Sequence, residues 1–168
     1  PTQGLLDAFV IKCRKGKIKG LKVVICGDIM HSRVARSNVA LLTRLGAKVT
    51  LVGPSTLMPT DVESLGVRIG KNLETEIKDA DALIMLRLQN ERIQGNFMPS
   101  ARDYFLLYGL TEEMLKKAKH NMLVLHPGPG NRGVELEGSL AADREKTEIL
   151  NQVEAGVAIR MSVLELLA

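Results

Sequence analysis

Hydrophobic positions along the chain fall into two alternating patterns, short apolar runs and longer stretches with helical spacing. The short runs have the length and β-branched content of buried strands, and they lie at residues 21–26, 47–52, 67–69, 82–86 and 122–125. The spacing predicts helices at residues 5–13, 33–45, 73–79, 102–107 and 147–167, a helical piece at 62–65 and a helix capped by Thr111. Strands that alternate with helices predict an α/β fold, a doubly wound parallel sheet of about five strands with helices on both faces, Rossmann-like in type.

Length, charge and composition narrow the range of functions. The chain has 168 residues, of which 45% are hydrophobic, so it can bury one core, and we expect a single domain over residues 1–168. The net charge of +4 is scattered, and with no Trp, two Tyr and three Phe the chain lacks the aromatic platforms of a nucleic-acid binder. Since no apolar stretch reaches the roughly 18 to 20 residues that span a bilayer, we expect no membrane partner and a cytoplasmic location. The chain begins at Pro1 without an initiator Met, which suggests that it is part of a longer protein.

Three predicted strands are followed by segments with unusual chemistry, namely GDIMHSR at 27–33, RLQNER at 87–92 and HPGPG at 126–130. In a doubly wound sheet the carboxyl ends of the strands share one edge, where such folds bind ligands. Arg87 offers a rigid fork of donors for a carboxylate or phosphate, and Gln89 points to the same side if the chain stays extended. The alternative is a solvated surface segment in which Arg87 and Arg92 pair with Glu91.

Arg33 and the proline-rich turn at 126–130 are the other candidates for ligand contacts. Arg33 stands at the start of a predicted helix, where a cation opposes the helix dipole, so an anion bound by the guanidinium and the helix N-terminus would account for it. A pair with Asp28 is the simpler alternative. Pro127 and Pro129 remove two backbone donors, which either leaves carbonyl groups for an amine or amide ligand or merely makes a rigid turn with a candidate cis bond before Pro129. His126 either orients a substrate or caps the strand.

Several common site types are absent from the sequence. The segment after the first predicted strand lacks the Gly-x-Gly-x-x-Gly pattern, and no Gly-rich Lys-Ser/Thr loop occurs, which argues against a nicotinamide-dependent oxidoreductase or a nucleotide cofactor. There is no nucleophile elbow or metal-binding helix, and neither Cys13 nor Cys26 has a second Cys or a His at a metal-ligand spacing. We therefore expect neither a cofactor nor a metal.

Taken in order, the motifs of this chain resemble the aspartate carbamoyltransferase family. They are PTQ and LLD within residues 1–7, GD, SR and Ser37 within residues 27–37, RLQNER at 87–92, and HPGP with NRGVE within residues 126–135. The resemblance covers the whole chain and identifies it with the carboxyl-terminal, aspartate-binding half, beginning inside a His-Pro-Thr-Gln motif. The related ornithine enzymes carry an Asp, a Ser-Met-Gly segment and a His-Cys-Leu-Pro turn instead, so the resemblance implies aspartate as the substrate. Gly130 departs from relatives that place an Arg there, and Arg132 is a candidate replacement.

The resemblance implies roles for individual residues in transferring the carbamoyl group of carbamoyl phosphate to the amine of L-aspartate, a step of pyrimidine biosynthesis. Arg33 would bind the α-carboxylate of aspartate, and Arg87 the side-chain carboxylate with support from Gln89. Gln3 and the carbonyl groups of Pro127 and Gly128 would hold the carbamoyl group. The implied catalytic set is Gln3, Arg87, Pro127 and Gly128, and the implied closing loop includes Glu91 and Arg92.

The resemblance also implies what the chain needs from elsewhere. The phosphate-binding residues of the family lie in an amino-terminal domain, against which residues 1–16 and 147–168 would pack, and in a neighbouring subunit of a homotrimer. We therefore expect the chain to be inactive alone, with that domain as its partner and, in some assemblies of the family, dihydroorotase or a regulatory chain. The alternative is a non-catalytic, carbamoyltransferase-like scaffold domain in an assembly of pyrimidine enzymes.

Overall fold

A five-stranded parallel sheet forms the centre of the computed structural model, which describes residues 2–60, 62–89, 100–131, 133–140, 143 and 145–168. The strands are β1 (Lys22–Cys26), β2 (Lys48–Val52), β3 (Arg68–Ile69), β4 (Ala82–Met85) and β5 (Leu123–Leu125). They lie in the order β3-β2-β1-β4-β5, and each neighbouring pair is parallel. The predicted doubly wound sheet is confirmed, and its strand order reverses between β1 and β4.

Helices cover both faces of this sheet. In the described part of the chain they are α1 (Thr2–Lys15), α2 (Arg33–Arg44), α3 (Leu73–Ile77), α4 (Ala101–Tyr108), α5 (Glu112–Lys117) and α6 (Ile149–Leu167), with 3-10 turns at Ser55–Leu57 and Val62–Leu65. On one face α1 packs against both α2 and α6, and on the other α3 packs near α5. The site region therefore rests on a sheet that is held from both sides.

The central strands are apolar at nearly every position because both of their faces are buried. Successive side chains of a strand point to opposite faces, and accordingly Val23 and Ile25 join the core cluster under α1 and α2, whereas Val24 and Cys26 join the cluster under α3. Fully burying one such aliphatic side chain stabilises the fold by roughly 1.5–3 kcal/mol. The continuous apolar runs in the sequence follow from this burial.

Side-chain caps set the helix boundaries. The Ser32 hydroxyl accepts a hydrogen bond from the Ala35 N–H at 3.1 Å and starts α2, and the predicted cap at Thr111 is confirmed by the hydrogen bond it accepts from the Met114 N–H at 3.2 Å. The terminal helix begins two residues later than the spacing predicts. The Thr147 N–H and hydroxyl both donate to the carbonyl of Asp143, which closes a turn ahead of α6.

Two global features bear on function. Among the described residues, no helix is both long and apolar enough to cross a membrane. The same part of the chain brings no three His, Cys, Asp or Glu side chains together in a way that could hold a metal ion. The resemblance implies a closing loop from Glu91 to about Tyr108. Its residues 91–99 lie outside the described residues, and its remainder contains α4.

Candidate active site

The three segments with unusual chemistry lie at one edge of the sheet. β1 is paired with β4, and β4 with β5, all in parallel, so the segments that follow them leave the sheet at the same edge. The first two follow the strands between which the strand order reverses. Open α/β sheets bind ligands at that position, in the crevice outside the carboxyl ends of the strands.

The chain leaves β1 through a turn that requires glycine. Gly27 has a φ of +135°, and a Cβ added to it would lie 2.9 Å from both the Cβ and the carbonyl oxygen of Leu86 at the end of β4. The Gly27 N–H meanwhile donates to the carbonyl of Val52 at 2.9 Å. The ends of β1 and β4 therefore approach one another closely because residue 27 has no side chain. Gly53 does the same after β2, where an added Cβ would collide with the carbonyl oxygen of Gly27.

Arg33 is exposed at the first position of α2 and does not pair with Asp28. The buried Asp28 carboxylate instead accepts a hydrogen bond from the His31 N–H at 3.1 Å and contacts the His31 ring nitrogen Nδ1 at 2.9 Å. Within the described residues, no carboxylate lies within ion-pair distance of the Arg33 guanidinium. The simpler alternative of an Arg33–Asp28 pair is therefore wrong, because Asp28 is used to close its own turn.

The segment after β4 is anchored to the core by Leu88. Leu88 is buried against Leu57 and Tyr104, whereas Arg87 and Gln89 on either side of it are only half-buried. This alternation matches an extended chain that directs Arg87 and Gln89 away from the core. The predicted pairing of Arg87 and Arg92 with Glu91 lies outside the described residues, as do Glu91 and Arg92 themselves.

A buried carboxylate holds this segment to the loop after β5. One oxygen of Glu135 accepts from the Leu88 N–H at 2.8 Å and from the Asn131 side-chain amide at 3.0 Å, and the other accepts from the Asn131 N–H at 2.8 Å. Burial raises the pKa of Glu135, although these hydrogen bonds oppose the increase. Glu135 thus sets the position of Arg87 and Gln89 relative to the turn at 126–130.

The turn after β5 is built around a neutral histidine. Nδ1 of the buried His126 ring accepts from the Gly128 backbone N–H at 2.9 Å. The backbone N–H of His126 donates to the side-chain oxygen of Gln152, also at 2.9 Å. Burial lowers the pKa of His126 to about 4. The Gly128–Pro129 peptide bond is cis, in agreement with the sequence expectation. His126 therefore shapes the turn through its acceptor nitrogen.

Gln3, Pro127 and Gly128 come together at one cavity of about 240 Å³. In the described part of the chain, no N–H group donates to the carbonyl oxygen of Pro127 or Gly128. The Gln3 side-chain amide donates from Nε2 to Asp7 at 2.7 Å. The cavity therefore collects residues from α1, from the turn after β5 and from α6, which contributes Gln152 and the cationic Arg160, whereas Arg33, Arg87 and Gln89 are not among its lining residues.

The sequence analysis assigned no role to four buried polar residues that support this region. Asp7, Asn38 and Gln152 form one hydrogen-bonded cluster, and Glu135 forms the contacts already described. A local signal existed for the first of them, because Gln3 and Asp7 have the i, i+4 spacing of neighbours on a helix. The contacts of Asn38 and Gln152 with Asp7, and of Glu135 with Leu88, join residues far apart in the chain, so no local pattern predicts them. The contacts of Glu135 with Asn131 span only four residues.

The fold and the polar strand ends define a class, that of doubly wound α/β domains with a ligand-binding crevice at the switch point. Residues 19–167 match the family described as aspartate/ornithine carbamoyltransferase, Asp/Orn binding domain. The chain belongs to this family. The resemblance noted from the sequence motifs is thereby confirmed at the level of the family and its binding domain.

Curated relatives and solved structures agree with this assignment. The chain is 55% identical over 168 residues to the aspartate carbamoyltransferase catalytic subunit of Azorhizobium caulinodans and 56% identical to that of Xanthobacter autotrophicus. It is fully covered in both matches but spans only 52% and 53% of those proteins. Aspartate transcarbamoylase of Trypanosoma cruzi in complex with phosphate matches 98% of this chain with a TM-score of 0.82 and 29% identity, over 55% of its own length. The same enzyme in complex with carbamoyl phosphate and aspartate gives a TM-score of 0.81 and 26% identity, again over 98% of this chain and 55% of its own length.

Proposed function

We propose that this chain is the aspartate-binding half of an aspartate carbamoyltransferase, which transfers the carbamoyl group of carbamoyl phosphate to the amine of L-aspartate and releases phosphate. The observation that carries the proposal is the meeting of Gln3 with Pro127 and Gly128 at one cavity, on the sheet edge that also carries Arg33 and Arg87. Its support includes relatives named for this activity that match the entire chain. The reaction belongs to pyrimidine biosynthesis.

The arginines would bind the dicarboxylate. Arg33, exposed at the start of α2, would hold the α-carboxylate together with the helix N-terminus, and Arg87 would hold the side-chain carboxylate with Gln89 beside it. A guanidinium binds a carboxylate through two parallel hydrogen bonds, which fixes the direction of the ligand as well as its place. The amine of aspartate is then aimed at the carbonyl carbon of carbamoyl phosphate.

The cavity would hold the carbamoyl group. Its NH₂ carries donors, and the carbonyl oxygens of Pro127 and Gly128 are acceptors that the described chain leaves without N–H donors. Attack of a neutral amine on a carbonyl carbon is accelerated chiefly by orientation and by stabilising the charge that develops on the oxygen. Gln3, Arg87 and the turn at 126–130 would supply orientation, and Glu91 and Arg92 would hold the closed loop.

The remaining charge stabilisation would come from an amino-terminal half. The chain spans about half the length of the curated relatives it matches, and the exposed faces of α1 and α6 carry large apolar side chains. They are Leu5, Phe9, Val153, Val157, Met161 and Leu164. Residues 1–16 and 147–168 would pack against that half, within a cytoplasmic homotrimer.

Complementation tests the proposal. The purified chain is assayed for carbamoyl-aspartate formation alone and after mixing with a separately produced amino-terminal half of a full-length relative. We expect turnover only in the mixture. Turnover by the chain alone would overturn the predicted dependence on the second half, and no turnover from two folded, associated halves would favour the non-catalytic scaffold.

Arginine variants in the active mixture test the assignment of the aspartate site. Arg33→Ala and Arg87→Ala should each raise the KM for aspartate roughly 10- to 100-fold, because a hydrogen bond to a charged group is worth about 1.5–3 kcal/mol. Arg44→Ala is the matched control, since Arg44 is also exposed but lies at the other end of α2. An unchanged KM in both variants would contradict the assignment.

A further inference from the structure

Another cavity, of about 420 Å³, lies near the amino ends of the strands, away from the candidate active site. Lys22 and Lys48, the first residues of β1 and β2, contribute to its lining, and so does Arg68 at the start of β3. The candidate active site lies at the carboxyl ends of the parallel strands, so the two places are separated by the length of the sheet. Small-molecule sites occupy about 300–1,000 Å³, and this cavity has that size.

The strand register brings the three cations to one wall of the cavity. Lys22 is paired with Lys48, and Thr50, two residues after Lys48, is paired with Arg68. Residues two apart on a strand point to the same face of a sheet, and paired residues of neighbouring strands do so as well. Because neighbouring strands lie only about 4.8 Å apart, like charges at such positions repel one another. The sheet therefore presents a row of positive charges to the cavity.

The facing wall of the cavity is acidic. It is formed by Glu76 of α3 and by Asp79, which follows that helix. Glu76 accepts hydrogen bonds from the guanidinium of Arg68, and Asp79 Oδ2 lies 3.3 Å from Lys22 Nζ. Both side chains of the Lys22–Asp79 pair are exposed to solvent, so the pair contributes little to stability and a ligand can replace it.

Lys48 is not neutralised in this way. Among the described residues, no carboxylate lies within ion-pair distance of its ammonium group. An ammonium group has three N–H donors and no acceptor, so it is suited to an anion with several oxygens. The fold thus places Lys48 beside Lys22 without a compensating charge from the described part of the chain.

The loops next to this cavity are basic as well. The Gly20 N–H donates to the carbonyl of Gly46 at 2.8 Å, which joins the loop that enters β1 to the loop that enters β2. Lys17, Lys19 and Arg44 lie in or beside these loops and are exposed, and no described carboxylate is within ion-pair distance of any of them. Such a concentration of one sign of charge raises the local concentration of anions.

We propose that this cavity is a binding site for a small sugar phosphate, in which Lys22 and Lys48 hold the phosphate and sugar hydroxyls donate to Glu76 and Asp79. A phosphate between the two lysines offsets their repulsion through charge-assisted hydrogen bonds. An ionised carboxylate has about four acceptor positions, so each of the two retains some beyond its ion pair. The inference is independent of the proposed function, because no residue assigned there to aspartate or carbamoyl phosphate lines this cavity.

Titration of the purified chain with glucose 6-phosphate tests the proposal, followed by NMR of the backbone amides. The buffer contains about 150 mM salt, which screens non-specific attraction between exposed charges. We expect saturable binding at one site, with the largest shifts at Val24, Thr50 and Thr75, which line the cavity. Inorganic phosphate and glucose should each bind at least about tenfold more weakly, because each makes only part of the contacts.

Variants of Lys48 test the role of the sheet wall. Lys48→Gln should weaken the binding of glucose 6-phosphate about tenfold, whereas Lys48→Arg, which keeps the charge, should retain most of it. Lys12→Gln is the matched control, since Lys12 is also an exposed lysine but lies on α1 and does not line the cavity. An equal loss in Lys12→Gln would show that net charge and not this cavity attracts the ligand, which would overturn the proposal.

Two further results separate this cavity from the candidate active site. Arg87→Ala should leave the binding of glucose 6-phosphate unchanged, because Arg87 does not line this cavity. Shifts confined to the turn at 126–130, together with a loss of affinity in Arg87→Ala, would place the ligand at the candidate active site and reject the proposal. So would the absence of saturable binding, or inorganic phosphate that binds as tightly as glucose 6-phosphate, and neither result bears on the proposed function.

Discussion

At the scale of single residues, the turn after β5 depends on the protonation state of His126. Its Nδ1 accepts the Gly128 N–H, which is possible only for the neutral ring, and burial lowers the pKa to about 4. The neutral ring therefore carries its proton on Nε2. The sequence left open whether His126 orients a substrate or caps the strand. These contacts support a structural role for His126 at the end of the strand.

The sign of the pH effect follows from the lowered pKa. Between about pH 6.5 and pH 4 the unfolded chain binds a proton at His126 that the folded chain excludes, so the free energy of unfolding falls as the pH falls. The full difference corresponds to about 3 kcal/mol. Asp7 and Glu135, whose pKa values are raised, contribute in the opposite direction as they become protonated.

Urea unfolding across this pH range tests the assignment. His126→Asn keeps an acceptor near the Gly128 N–H but removes the titrating ring. We expect the free energy of unfolding of the original chain, minus that of the variant, to decrease by up to about 3 kcal/mol from pH 6.5 to pH 4. Parallel profiles for the two proteins would show that His126 is not responsible.

At the scale of elements, the sequence predicts what depends on neighbours in the chain. All five strands and the cap at Thr111 follow from apolar runs and from one short-range hydrogen bond. The contacts that position the candidate site join residues far apart, as when Glu135 accepts the Leu88 N–H or Gln152 accepts the His126 N–H. Such pairs depend on the folded topology, so the hydrophobic periodicity of the sequence does not predict them.

The turn after β1 offers a test of how the elements meet. Gly27→Ala places a methyl group 2.9 Å from Leu86 in a backbone conformation that L-residues avoid, and we expect it to lower the free energy of unfolding by about 3 kcal/mol. Gly20→Ala is the control, because Gly20 has a φ of +83° but open space around it. It should cost only about 1 kcal/mol.

Urea midpoints at unchanged slope would measure both variants. Similar losses for Gly27→Ala and Gly20→Ala would mean that backbone strain alone matters at the end of β1. In that case the contact with β4 could not be what requires a glycine there.

At the scale of the whole molecule, α6 is apolar on the side that the domain does not bury. Its contacts with the rest of the chain bury Gln152 and Gly156, while larger apolar side chains lie 61–70% exposed along the adjacent side of the helix. We call these residues the α6 face, and they are Val153, Val157, Met161 and Leu164. They recur at spacings of three and four and so form one stripe.

An exposed apolar stripe of this kind favours association with another surface. We expect the isolated chain to self-associate as its concentration rises, and sedimentation velocity should show this. Replacing Val157 and Met161 together with Gln should abolish the association with little change in the free energy of unfolding, because both side chains are already mostly exposed. Glu165→Gln, an exposed polar position on the same helix, should leave the association unchanged.

The amino-terminal half offers a second test of the α6 face. If that half covers the face, adding it should compete with self-association. A chain that stays monomeric at the highest concentrations would show that the stripe alone is not a binding surface.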